Sequence, residues 1–141
     1  MIKPVGSDEL KPLFVYDPDQ HHALMHEAES LPSLAISSQA AGNAVMMGGG
    51  YFSPLSGFMN IADAMSVAEG MRMTDGRFFP VPVMCLVESV EAIGGAKRIA
   101  LRDPNMEGNP VLALLDVQAI DERRDEHTAF RTDRAYRTAA V

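Results

Sequence analysis

Three consecutive glycines, Gly48-Gly49-Gly50, constrain this chain more than any other feature of it. A residue without a Cβ loses the most backbone freedom on folding, so a regular element does not run through three of them. Just before them, Gln39 to Met47 is built of helix-compatible residues, and Ser37 and Ser38 are available as caps. The triplet is therefore expected to close a helix and reverse the chain at positive φ angles. Tyr51-Phe52-Ser53-Pro54-Leu55-Ser56-Gly57-Phe58-Met59, apolar and proline-bearing, then leads to a second helix. A phosphate-binding loop would need Gly-Lys-Ser/Thr after the glycines, where Tyr51-Phe52-Ser53 stands. A dinucleotide fingerprint follows a strand and opens a helix, whereas this triplet closes one.

The elements on either side sort by type. Asp17-Pro18-Asp19 suits a helix start, Asp as cap and Pro in the first turn. A helix over 19–30 ends ahead of Pro32, and Leu34-Ala35-Ile36 reads as a short strand. Asn60 to Gly70 is the clearest helix, with Asn60 as cap, Asp63 at the positive helix end, and Ile61, Met65 and Ala68 along one face. Thr74-Asp75-Gly76 is a turn. Phe78 to Val87 reads as a strand in which Pro80 and Pro82 blank the same side, so it belongs at an edge or a bulge. Lys97–Asp103 and a long apolar strand over 111–120 form an antiparallel hairpin around the loop 103–110. Helices first and strands later point to an α+β fold with a small curved sheet or partial barrel.

The 141 residues suit one domain, and 47% hydrophobic content suits one with a core of its own. Cys85 is the only cysteine, so an internal disulfide and a multi-cysteine zinc site are both excluded. No apolar run has the length of a signal peptide or a membrane span, and the expectation is a cytoplasmic protein with no membrane partner. Of the net charge of −7, residues 1–120 carry all of it, with seven basic and fourteen acidic side chains. Such a body repels phosphate backbones and counts against nucleic acid as a partner. Lys97, Arg98 and Arg102 form its clearest basic patch.

Each residue that could carry chemistry has a plainer reading. His22 and His26 stand at i and i+4, with His21 and Glu29 nearby, but a catalytic zinc needs a third well-placed protein ligand, and solvated histidines on a polar helix face explain them. Cys85 lies in an apolar run and reads as a small buried hydrophobe. Asp17, Asp19, Glu27 and Glu29 read as solubilising charge, and the methionines at 46, 47, 59, 65, 71, 73 and 84 as core filler. Arg98 and Arg102 alternate with Ala100 and can share a strand face as an anion site. No catalytic, cofactor-binding or metal-binding residue emerges from the pattern, and no cofactor is expected.

The distinctive residues are apolar and glycine-rich. Gly49 to Met59 is similar to a segment that the ATP sulfurylase (sulfate adenylyltransferase) family carries as Gly-Gly-Phe-Ser-Pro-Leu-x-Gly-Phe-Met, with an extra Gly and a Tyr ahead of Phe52. Asn60-Ile61-Ala62-Asp63, Met71-Arg72-Met73-Thr74-Asp75-Gly76, Phe79-Pro80-Val81-Pro82-Val83 and the run 108–117 follow in the family's order. The resemblance covers about residues 1–120 and is nearest to the sulfur-oxidising and sulfate-reducing bacterial branch. It implies a PUA-like pseudo-barrel, the N-terminal non-catalytic domain of a nucleotidyltransferase of sulfur metabolism. The whole enzyme joins ATP and sulfate into adenosine 5′-phosphosulfate and pyrophosphate, or runs the reverse.

The family's catalytic motifs are not in this sequence. Gln20, Gln39 and Gln118 are not followed by x-Arg-Asn, His22 and His26 are one residue too far apart for His-x-x-His, and Gly76-Arg77 runs into Phe78 rather than Asp. No functional residue carries over. Phe130-Arg131-Thr132-Asp133-Arg134 resembles the approach to the catalytic domain, but Ala135-Tyr136-Arg137-Thr138 stands where the family shows His-Pro-Gly. Residues 121–141 are thus expected to be a charged tail at the linker position, in an engineered piece, a truncated gene or a degenerate paralogue. The resemblance implies a structural and assembly domain without turnover of its own, partnered by the catalytic domain and, as an open alternative, by further copies of itself. The competing reading is a stand-alone PUA-like module for RNA or a nucleotide or sulfate ligand.

Overall fold

Capping side chains set the helix starts. The structure, a computed structural model, describes residues 8–123 and the strand 136–140. Helix α1 (Pro18–Ser30) begins where the Asp17 carboxylate accepts from the Gln20 N–H at 2.9 Å. Helix α2 (Ser38–Gly48) begins where Ser37 accepts from Ala40. Helix α3 (Ile61–Gly70) begins where Asn60 accepts from Asp63, and a second carboxylate, Asp121, accepts from the Ile61 N–H at 3.0 Å. Each of these side chains satisfies an N–H that the helix itself leaves without a partner.

Strands β1 (Ser33–Ala35), β3 (Arg98–Arg102) and β4 (Val111–Asp116) form one sheet in the order β1-β3-β4. In it β1 runs parallel to β3, and β3 and β4 form the expected antiparallel hairpin, which makes the sheet mixed. Strands β2 (Leu86–Val87), β5 (Ala119–Arg123) and β6 (Tyr136–Ala140) form a second, antiparallel sheet in the order β2-β6-β5. Three helices flanking small sheets make the α+β architecture that the order of elements implied. The core joins Ile99 and Leu101 of β3, Leu115 of β4, Val67 of α3, Met47 of α2 and the run Val83, Cys85 and Val87.

Five details differ from the sequence reading. Phe78 to Val87 is mostly irregular, with a single bridge from Arg72 to Phe78 and only Leu86–Val87 as strand. Pro80 and Pro82 remove the N–H groups a ladder would need. The apolar run 111–120 is two strands, because the chain leaves one sheet after Asp116 and enters the other at Ala119. The core side of α3 is Ala64 and Val67, while Ile61 and Met65 are half-buried and Ala68 is exposed. Met47, Met59 and Met73 fill the core, but Met46 and Met71 are exposed. The division expected after residue 120 falls inside β5, and Asp121 reaches back to cap α3. The stretch Phe130–Arg134 lies outside the described residues.

Candidate functional site

The glycine triplet is where the N-terminal segment crosses the domain. Leu13 and Phe14 both donate their N–H groups to the Gly48 carbonyl, at 2.8 and 3.1 Å, and the Lys11 N–H donates to the Ser53 hydroxyl at 2.7 Å. The Phe14 ring lies on Gly48, where a Cβ would collide with it. A Cβ on Gly50 would stand 3.1 Å from the Pro12 nitrogen, and Gly50 also has φ +80°. Gly49 keeps a helical backbone with φ −75°, so the reversal needs one positive φ in the triplet and not three. The absent side chains therefore make room for a strap, residues 11–14, and the triplet cradles polypeptide.

Beside this crossing is a groove of about 570 Å³. Its walls are the strap, α1 through Leu24 and Met25, α2 through Ala44 and Val45, and β4. The walls are mostly apolar; His21 and Arg98 are the basic side chains in them. Arg98 is already engaged. Its Nε lies 3.2 Å from Glu27 of α1 and 3.4 Å from Asp116 of β4, shielded from solvent, with no in-line hydrogen bond to either. Two carboxylates around one guanidinium leave no positive charge for an anion. Arg102, four residues on, turns to the Asn109 carbonyl at 3.4 Å. The anion site that the Arg98–Ala100–Arg102 alternation suggested is therefore not assembled.

The other candidates are placed as follows. His21, His22, His26 and Glu29 lie exposed on α1, and among the described residues no three His, Cys, Asp or Glu side chains approach closely enough to hold a metal. Asp17 caps α1 and Glu27 pairs with Arg98, so two of the four acidic residues of that segment have structural partners. Cys85 is fully buried, and burial pushes its thiol up to about 12, which keeps it protonated and unreactive. What the site offers is apolar surface. Leu10, Leu13, Phe14, Tyr16, Met25, Val45, Met46 and Tyr51 are all large exposed hydrophobics, from the strap and the residues flanking it, α1, α2 and the residue just past the triplet. The run Leu13-Phe14-Val15-Tyr16 was the one sequence signal for it, an apolar stretch with no helix or strand period.

The fold is two small sheets with flanking helices and a glycine-rich crossover, and the family model described as a PUA-like domain matches residues 2–140. The chain belongs to the PUA-like domain family. Its relatives include sulfate adenylyltransferases. That of Allochromatium vinosum is 68% identical over 139 residues, which is 99% of this chain and 35% of that protein. That of the Riftia pachyptila sulfur-oxidizing endosymbiont is 65% identical over 138 residues, 98% of this chain and 31% of that protein. Among solved structures, a hexameric APS kinase from Thiobacillus denitrificans superposes with a TM-score of 0.71 at 31% identity, covering 99% of this chain and 26% of that one. The chain thus spans about a third of the length of the curated relatives it matches. No helix among the described residues is long and apolar enough to cross a membrane.

Proposed function

We propose that this chain is the non-catalytic, structural part of a sulfate adenylyltransferase-type protein. It supports the portion that joins ATP and sulfate into adenosine 5′-phosphosulfate and pyrophosphate, or runs the reverse, and it has no turnover alone. The observation that carries this is the match itself: 99% of the chain aligns at 68% identity to 35% of a sulfate adenylyltransferase. Consistent with it, Gln-x-Arg-Asn, His-x-x-His and Gly-Arg-Asp are all missing from the sequence. The hexameric state of the T. denitrificans relative supports a place in a multi-subunit assembly. On this reading residues 1–120 are the body and 121–141 the junction to the catalytic portion, with 121–123 and 136–140 tied back through β5, β6 and β2.

The test has two arms. The purified chain is assayed for ATP formation from adenosine 5′-phosphosulfate and pyrophosphate; no activity is expected, and turnover overturns the proposal. The chain is also exchanged for the matched 139 residues of the A. vinosum enzyme. An active chimera is expected, and an inactive, separately folded one counts against the reading. The RNA, nucleotide and sulfate alternatives are disfavoured by the acidic body and by the neutralised Arg98.

A further inference from the structure

Helix α2 contains no Asp, Glu, Lys or Arg. Its inner side, Ala40, Ala41, Met47 and Gly48, is buried in the domain. Its outer side carries Gly42, Val45 and Met46 at i, i+3 and i+4, with Val45 47% and Met46 41% exposed. A helix with one face to solvent carries its charges there, and one that is apolar all round is a helix covered on both sides. Helix α1 obeys the first pattern, with exposed Asp19, His22, His26 and Glu29. Helix α2 is uncharged throughout, with Ser38, Gln39 and Asn43 as its polar side chains, yet the described residues cover only one of its sides.

Gly42 adds an independent sign. It sits in the middle of α2, and no atom of the described residues lies within 4 Å of where its Cβ would be. A glycine there weakens the helix relative to alanine, and none of the described residues needs the space. A glycine on an exposed helix face lets another backbone approach closely. At the end of the same face the Tyr51 ring lies over Gly49, with the ring 2.8 Å from the Cβ position, and Tyr51 is 73% exposed. Gly42, Val45, Met46 and Tyr51 thus make a neutral strip with a notch at its start, continuous through Val45 with the groove.

We infer that this outer face of α2 seats a neutral, apolar segment of the catalytic portion, packed backbone-close at Gly42. The inference rests on the function proposed above and names the contact surface. The occupant follows from length and charge. About two-thirds of each sulfate adenylyltransferase relative lies outside the region this chain matches, so a large further body adjoins the domain in those proteins. A second copy would bring one net charge of −7 against another across a strip with no countercharge of its own.

The chimera with the A. vinosum remainder tests it, with Gly42→Leu and Met46→Ser introduced separately. Both variants are also made in the chain alone, where melting temperature and circular dichroism report folding. In the chain alone each is expected to fold with a melting temperature close to that of the unaltered protein. In the chimera each is expected to split a single calorimetric transition into two and to expose the junction to limited proteolysis. If the unaltered chimera is coupled and a variant that folds alone is coupled equally well, the α2 face is not the contact, while the structural role stands. If the two parts of the unaltered chimera melt independently, both readings fall. A dimer of the isolated chain that dissociates on Gly42→Leu would assign the face to a second copy and overturn the inference.

Discussion

Helices α2 and α3 are nearly equal in length, 11 and 10 residues, and start the same way, each on a side-chain cap. Past the cap they part. Helix α3 carries Asp63 and Glu69, and Asp63 accepts from both the N–H and the hydroxyl of Thr74, at 2.9 and 2.6 Å, tying the following turn to the helix. It is complete within this domain. Helix α2 has no charge, an exposed apolar side, and an end spanned by the strap. Capping thus shows where a helix begins, and the chemistry of its outer face shows whether the helix is finished by its own domain.

The comparison can be broken at the core first. Met47 is the large buried side chain of α2 and Val67 that of α3. Met47→Ala is expected to cost about 3 kcal/mol and Val67→Ala about 2 kcal/mol, from lost burial and the cavity left behind. Urea unfolding checks both, and equal small losses would show that neither helix is anchored by its core face.

The segment between the two helices gives a pH test. Asn43 of α2 donates to the Met84 carbonyl at 3.4 Å, and Met59, just ahead of α3, donates to the Val83 carbonyl at 2.7 Å, so both helices hold the strip that contains Cys85. The buried thiol titrates at about 12, whereas an unfolded one titrates near pH ~8.5. Its folded pKa is raised, so its contribution is whole below the unfolded value and is lost as pH rises. Between those values the unfolded chain gives up a proton that the native chain keeps, and stability should fall by about 1.4 kcal/mol per pH unit. Unfolding curves from pH 8 to 10.5 should show this slope, and Cys85→Ala should remove it; a slope that survives the substitution assigns it to other groups.

Gly50 tests the end of α2. With φ +80° and Pro12 against its Cβ position, Gly50→Ala is expected to cost about 1–2 kcal/mol. Gly49→Ala, at φ −75°, meets the Tyr51 ring and not the strap, and should cost less. The caps come next: Asn60→Ala and Ser37→Ala should each cost about 1 kcal/mol. Asn60→Ala should fall at the low end, because Asp121 also serves the start of α3. Smallest and opposite in sign is Gly42→Ala, expected to raise the stability of the chain alone by about 0.5–1 kcal/mol. A loss there would show that Gly42 serves this domain after all.

The helix starts were legible because caps act within four residues: Asp17, Ser37 and Asn60 each serve an N–H three positions on. The hairpin 98–116 was legible because its loop is punctuated by Pro104, Gly108 and Pro110. The strand expected over 78–87 was not, because an apolar run satisfies the pattern while Pro80 and Pro82 decide whether a ladder can form. Nor was the break between β4 and β5, where apolar residues continue across 111–120 and only the partner strand changes. The face of α3 was misjudged by one position per turn, since Ala64 and Val67 are as helix-compatible as Ile61 and Met65, and burial depends on what packs against them.

By itself the sequence determined the α+β class, the family resemblance and the lack of the catalytic motifs, because these are properties of local pattern and residue identity. It also fixed that Gly48-Gly49-Gly50 ends a helix. Only the tertiary structure decided why Gly48 and Gly50 are there, since the strap that passes over them comes from residues 11–14, more than thirty positions away, while Gly49 lies under the ring of Tyr51. It likewise decided that Arg98 is neutralised by Glu27 and Asp116 from two other elements, and that the described residues leave the outer side of α2 uncovered. Close approach and charge pairing depend on distance in space, which residue order encodes only through the completed fold.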